Sequence, residues 1–150
     1  MQRTLILLKP DAIERGLAGT ILARFEAACL RVEDCRVVRP SLSLLETHYA
    51  DLKRRDTRAF ARTTRSLQDE PFIAVILAGP NAIQKVRTLT GPTEPVTAPA
   101  GTIRGDFGND TIAQADAEDR TACNLLHAAD SEAAVARETA LWFTPFPGPA

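Results

Sequence analysis

Asn124-Leu125-Leu126-His127-Ala128-Ala129-Asp130-Ser131 is the stretch on which the reading of this 150-residue chain turns. A short apolar run ends in a histidine, and Asp130 and Ser131, two residue types that favour a helix N-cap, follow within four positions. The spacing predicts a strand passing into a helix, with an imidazole at the junction. Such a junction carries unpaired backbone N–H groups and the positive end of a helix dipole, which together attract phosphate. Taken alone, however, one histidine beside apolar residues is more often a packed or surface side chain than a nucleophile.

The same alternation of strand and helix extends outward through the chain. Leu5 to Leu8 and Phe72 to Ala78 are compact apolar runs bounded by breakers, as buried strands are, and Val32, Cys35 and Val37 mark another strand ending at Pro40. Helical spacing appears at Ile21, Leu22, Phe25, Ala28 and Cys29, again from Ala82 to Leu89, and from Ser131 to Leu141. The order is strand, helix, strand, helix, strand, helix, a long loop, strand, helix. That supports an α+β arrangement of sheet and helices; periodicity alone does not separate it from a doubly wound sheet.

Composition sets bounds. With 45% hydrophobic and 25% charged residues, the chain is ordinary for one globular domain with a real core. A formal net charge of -1 gives no reason to expect binding to nucleic acid or to a membrane surface through bulk electrostatics. Cys29, Cys35 and Cys123 are an odd number without a C-x-x-C pair, so buried reduced thiols are expected rather than disulfides or a zinc site. The apolar run before Lys9 is too short for a signal peptide and no stretch approaches membrane-spanning length, which makes a cytoplasmic protein the default. Asn109-Asp110-Thr111 fits a glycosylation pattern and is taken as coincidence.

Affinity for phosphate must then come from local cations, and three segments supply them. Lys9-Pro10-Asp11 follows the first apolar run, Gly101-Thr102-Ile103-Arg104-Gly105-Asp106-Phe107 holds a glycine-flanked arginine, and Arg87 precedes the turn-rich Gly91-Pro92-Thr93-Glu94-Pro95. Neither G-x-x-x-x-G-K-[ST] nor G-x-G-x-x-G occurs, which disfavours a P-loop or a Rossmann dinucleotide site. The loop from Thr90 to Gly101 is stiffened by Pro92, Pro95 and Pro99 and is suited to holding Thr93 and Arg104 in place, although a plain surface connector is the ordinary reading of such a loop.

Taken in order, Lys-Pro-Asp, Gly-Thr-Ile-Arg-Gly-Asp-Phe, Asn-x-x-His-x-x-Asp-Ser and the ending Glu138-x-x-Leu141-Trp142-Phe143 resemble the nucleoside diphosphate kinase family from about Arg3 to Phe143. The resemblance implies a ferredoxin-like βαββαβ fold, an antiparallel sheet with helices packed on it, over residues 1–143. It implies a ping-pong reaction in which His127 takes the terminal phosphoryl group of a nucleoside triphosphate and returns it to a nucleoside diphosphate. Glu138 would hold the other ring nitrogen, Lys9, Arg87 and Arg104 would neutralise the phosphates, and Thr93 would donate to a phosphate oxygen. Asn124, with Lys9, would bond the ribose hydroxyl, and Tyr49 matches a tyrosine close to the histidine. Mg²⁺ would bridge the nucleotide's phosphates with few direct protein ligands and no dedicated metal site. The base would stack on an aromatic ring, for which Phe60 is the candidate; a core place for Phe60 is the other reading. A homo-oligomer is expected, since family members are usually built from dimers.

Three departures from the family pattern stand out. Ala129 replaces a serine near the nucleophile, a loss worth roughly 1 kcal/mol of transition-state stabilisation, or about fivefold in rate. Residues 108–123 form an insertion of about ten residues carrying Asp110, Asp116, Glu118 and Asp119, with a helical turn expected over Thr111 to Ala117. A surface excursion is its first reading, a lid or an oligomer contact the others, and an acidic lid over the phosphates would oppose substrate binding. The chain ends in a proline-rich tail, 144–150. Two alternatives to the kinase reading follow: a nucleotide-binding or interaction module with weak or no turnover, and a histidine kinase acting on another protein.

Overall fold

The structure, a computed structural model, describes residues 1–144. The proline-rich tail expected over 144–150 lies, from 145 onward, outside the described residues. β1 (Gln2–Leu8) runs through the middle of the sheet and is buried from Thr4 to Leu8. A strand covered on both faces needs apolar side chains on each, which is why Leu5 to Leu8 shows no polar alternation. Leu5 and Leu7 enter one core cluster, Ile6 and Leu8 the other, as a period of two requires.

β1 pairs antiparallel with β3 (Phe72–Gly79) on one side and with β4 (Leu126–Ala128) on the other. β2 (Arg31–Val38) pairs antiparallel with β3, giving the order β2-β3-β1-β4. With crossover helices after β1 and β3, this is the ferredoxin-like βαββαβ topology that the resemblance implied. β1 begins earlier than its apolar run, at Gln2, because Gln2, Arg3 and Thr4 are paired with Gly79, Ala78 and Leu77.

On one face, α2 (Ala18–Ala27) and α6 (Ala82–Thr90) contribute Ile21, Phe25, Ala82 and Val86 to the first cluster. The other face is covered by α3 (Leu42–His48), α5 (Thr57–Leu67) and α9 (Glu132–Trp142) through Leu45, Leu67, Ala134 and Trp142. α1 (Pro10–Glu14) opens on Pro10, whose missing N–H is no loss at a helix start. A single helix was expected between β2 and β3, but caps divide the segment. Ser41 Oγ accepts from Leu44 N at the start of α3, α4 (Ala50–Arg55) follows Tyr49, and Asp56 accepts from Ala59 N at the start of α5. The long loop before β4 likewise holds a 3-10 turn (Pro95–Thr97), α7 (Ile103–Phe107) and α8 (Ile112–Ala117).

The three cysteines are free as expected, but they are not buried: Cys29 and Cys35 are exposed and Cys123 is half-covered. Cys35 lies on β2, an edge strand exposed along most of its length, and Cys29 takes φ +62° in the turn after α2. Burial follows from place in the sheet, which a residue type does not carry.

Residues 108–123 form α8 and its flanks, the helical turn having been expected there. Asp116 meets Arg62 at 2.6 Å, Asp119 meets Arg65 at 3.0 Å, and Thr121 N donates to Ser66 Oγ at 3.3 Å, so the segment is fastened along α5. Ile112 N donates to the Glu94 carboxylate at 3.0 Å, which ties the same segment to the proline-rich loop. Asp110 and Glu118 both pair with Arg120. All four carboxylates are thus met by arginines, and none lines the cleft described next. Their feared repulsion of phosphate therefore has no geometric basis.

Candidate active site

β1 and β4 place the ends of two strings side by side. Lys9 N donates to Leu125 O at 2.9 Å, and Leu125 N donates to Asp11 Oδ2 at 3.1 Å. Leu125 is held between them at φ +74°, a conformation that costs a residue with a Cβ about 1 kcal/mol and persists only where its surroundings demand it. Burial raises the Asp11 carboxyl above its usual range, with the Lys9 ammonium opposing it. The Lys-Pro-Asp string is therefore both a source of charge and the clamp that aims the residues before His127.

The cleft beside this clamp has a volume of about 320 Å³. Lys9, Arg55, Arg87, Arg104 and Arg137 face it, against the carboxylates of Asp51, Asp130 and Glu138. Of the residues expected at a site, Lys9, Tyr49, Arg87, Thr93, Arg104, Asn124, His127 and Glu138 all line this one cleft. The start of α9 was read as a junction that attracts phosphate, with local cations supplying the affinity. The first turn of α9 is capped by Ser131 Oγ, which accepts from Ala134 N, Asp130 lines the cleft, and the positive charge there comes from side-chain cations.

His127 lies on β4, paired with Leu7, its side chain 27% exposed toward the cleft. Its Nε2 is 2.7 Å from Glu138 Oε2, on the second turn of α9, and Glu138 is buried. A carboxylate only accepts, so a neutral His127 keeps its proton on Nε2 and a lone pair on Nδ1. Ala129 N donates to Leu5 O and its methyl is fully buried in the core, the place where the family pattern has a serine.

Lys9 is buried, and its Nζ donates to Asn124 Oδ1 at 2.8 Å, while Asn124 Nδ2 donates to Thr93 O at 3.2 Å. Burial brings the Lys9 ammonium down to about 8, Asp11 opposing the shift and Arg104 adding to it. Arg104, on α7, is only 5% exposed. Its Nε donates to Asn124 O at 3.0 Å, Nη1 to Gly91 O at 3.0 Å and Nη2 to Leu126 O at 2.6 Å. One guanidinium thus joins the strand that carries His127 to the proline-rich loop. Burial and the neighbouring Arg87 lower it to about 10, which leaves it charged at neutral pH. Gly105 is required here because a Cβ would collide with the carbonyl of Pro99. Arg87 reaches Ala128 O from α6 at 3.2 Å. Tyr49 lines the wall, its hydroxyl pushed well up by burial and then by Glu138.

Phe60, the candidate for stacking on the base, lies on α5 at 9% exposure, outside the residues that line the cleft and with the Lys53 ammonium 5.4 Å from its ring centroid, a position that favours the core reading. Phe60→Ala is accordingly expected to cost about 3 kcal/mol of stability by denaturant titration, with nucleotide KM changed less than about twofold. Sequence reasoning missed His48, Arg55 and Arg137, all of which line the cleft. For Arg55 the run Lys53-Arg54-Arg55 at the end of α4 was a signal, but only the fold shows which of the three turns inward. His48, beside Tyr49, had no signal of its own.

A family model described as nucleoside diphosphate kinase matches residues 2–147. The nucleoside diphosphate kinase of Gloeobacter violaceus is 37% identical over 145 residues, 97% of this chain and 89% of that one. That of Caldanaerobacter subterraneus is 39% identical over 143 residues, 95% and 94% of the two chains. Among solved structures, a transition-state mimic of the Borrelia burgdorferi nucleoside-diphosphate kinase with bound vanadate and ADP superposes with a TM-score of 0.90 at 32% identity, covering 95% of this chain and 87% of that one.

Proposed function

The chain belongs to the nucleoside diphosphate kinase family, and from that premise we propose that His127 is its nucleophile. The activity is transfer of the γ-phosphate of a nucleoside triphosphate to a nucleoside diphosphate. In the first half, the Nδ1 lone pair of His127 attacks the γ-phosphorus, the bond from that phosphorus to the bridging oxygen breaks, and the electron pair leaves on the diphosphate product. The ring, now carrying phosphate on Nδ1 and a proton on Nε2, shares its positive charge with the Glu138 carboxylate. In the second half, a terminal oxygen of another diphosphate attacks the phosphohistidine, and the ring recovers its lone pair. The observation that supports this most is the 2.7 Å contact between Nε2 and a buried carboxylate, which leaves the lone pair on Nδ1 of a ring that lines the cleft.

Lys9, Arg87 and Arg104 act by position and charge, which is most of what phosphoryl transfer asks of a protein. Thr93 donates to a phosphate oxygen, Asn124 and Lys9 meet the ribose hydroxyl, and Arg55 is a further cation for the same anion. The substrate is the Mg²⁺ complex of the nucleotide. Asp51, Asp130 and Glu138 line the same cleft, and in this reading the metal is held mainly by the nucleotide's own phosphate oxygens. The same reading includes a homo-oligomer acting on the nucleotide pool of the cytoplasm; among the described residues no helix is long and apolar enough to cross a membrane.

The test is incubation with γ-labelled ATP and Mg²⁺, followed by unlabelled GDP or CDP. Acid-labile label on the protein that chases into GTP or CTP is expected. Nucleotide binding without labelling would instead favour a binding module, and label passing to proteins but not to diphosphates a protein kinase.

A pH effect follows from Lys9. Burial holds the Lys9 ammonium at about 8, below the ordinary lysine value of 10.5, so its charge is lost as pH rises through 8. If only the charged form engages phosphate, nucleotide KM rises about tenfold between pH 7 and 9, whereas Lys9→Arg, charged at both, flattens the rise. Stability moves the other way: the unfolded chain binds the extra proton between about 8 and 10.5, so the contribution of Lys9 to stability grows with pH across that window.

A further inference from the structure

His48, at the end of α3, stands against the nucleophile with no part in the steps above. Its ring centroid is 4.7 Å from that of His127, the two planes 84° apart. On its other side the ring stands at 90° to Trp142 and at 88° to Tyr49. Trp142 Nε1 donates to His48 Nδ1 at 3.1 Å, and the indole is itself fixed, 2% exposed and packed on Phe72 at 5.1 Å. An indole N–H is a donor only, so the nitrogen it meets carries no proton and the single proton of His48 rests on Nε2.

We propose that His48 is a positioning residue for transfer through His127: Trp142 holds it in one uncharged tautomer, and that ring orients the nucleophile without adding a second cation beside it. The need arises on phosphorylation. The His127 ring then bears positive charge balanced by Glu138, and an imidazolium less than 5 Å away would oppose the intermediate. The charges facing His48 are His127 on β4, Lys9 after β1, and Arg137 and Glu138 on α9, with Tyr49 beside it. Burial first, then His127, Lys9 and Arg137, keep its pKa well below the ordinary histidine value, in the same direction as the hydrogen bond.

His48, His127 and Glu138 also bring ligand-type atoms within 4.8 Å of one another. With the Trp142 bond in place His48 has an N–H, not a second lone pair, left to offer, so the cluster makes a neutral packed ring rather than a metal site.

The inference rests on the phosphohistidine reading, and its first test needs no turnover, so the two fail separately. Ring-nitrogen NMR of the whole wild-type protein is expected to show His48 as the neutral Nε2–H tautomer from pH 5.5 to 8.5; a His48 that titrates in this range, or carries its proton on Nδ1, overturns the proposal. The second test is the pH profile of kcat. Trp142→Phe frees Nδ1 to take a proton, so kcat should fall at least about fivefold more than wild type between pH 7.5 and 6. In Trp142→Phe/His48→Gln that additional fall should vanish, because no imidazole remains to be charged. A Trp142→Phe profile that superposes on wild type, or a fall that persists in the double variant, contradicts the proposal. Loss of packing alone lowers activity at every pH and leaves the shape of the profile alone. His48→Gln by itself, which keeps a neutral acceptor for the indole, should lower kcat about tenfold with nucleotide KM within about twofold.

Discussion

His127→Ala is expected to lower phosphotransfer by a factor of about 10⁴ or more while nucleotide affinity stays within about threefold. The size follows from the kind of group removed. A ping-pong reaction needs a covalent carrier, and among the described residues no other side chain in the cleft pairs a nucleophilic nitrogen with a buried, orienting carboxylate. Of the other nitrogens lining the cleft, Lys9 is at pH 7 mostly an ammonium without a lone pair, and the Nδ1 of His48 is taken by the indole N–H of Trp142. Affinity should survive because the other cations lining the cleft come from elsewhere: Lys9 after β1, Arg55 on α4, Arg87 on α6 and Arg104 on α7. The fold should survive as well, since the imidazole is partly exposed and its loss opens no sealed cavity. Steady-state turnover, calorimetric titration with ADP and a thermal melt check the three parts.

Arg104→Lys is the second large effect, and it should appear in stability and catalysis together. The buried guanidinium satisfies the carbonyls of Asn124, Gly91 and Leu126 at once, from three different nitrogens. An ammonium at the end of a flexible stem keeps the charge but cannot reproduce a planar fork. Asn124 O keeps its bond from Leu126 N at 2.9 Å and the lysine can serve one of the carbonyls of Gly91 and Leu126, so the one carbonyl left without a donor costs about 2 kcal/mol, or a fall in Tm of about 6 °C for a chain of this size. The catalytic loss should be about 10- to 100-fold in kcat/KM, because these carbonyls flank His127 on one side and Thr93 on the other and their release loosens both. Preserved charge with lost geometry is what distinguishes this variant from one acting through electrostatics alone: raising the salt concentration should not narrow its gap from wild type.

How far the sequence was legible depended on whether the signal was local. The apolar run Leu5–Leu8 announces a strand covered on both faces, and Asp130 and Ser131 announce the start of α9, because alternation and capping act over a few residues. The order of motifs placed eight site residues that the fold gathers into one cleft. The place of Phe60 was not legible because the Tyr49-to-Arg87 segment is longer here than in the pattern and helical spacing does not tell the inner side of α5 from the cleft side. The partners of Asp116 and Asp119 were hidden because Arg62 and Arg65 lie 54 residues away, and a charge run carries no mark of what will meet it. Arg104 was read as a phosphate ligand from its glycine neighbours, yet its bonds to three carbonyls emerge only when α7, β4 and the loop at Gly91 are brought together. His48 was silent for the same reason: its meaning comes from Trp142, 94 positions on.

The most direct measurement of the central claim is the site of the phosphoryl group in the phosphoenzyme, read by phosphorus and nitrogen NMR on protein labelled with ATP and quenched before hydrolysis. With Glu138 on Nε2, the account predicts a single phosphohistidine, at His127, substituted on Nδ1. Phosphate on Nε2, on another residue, or on no residue while turnover proceeds would contradict it.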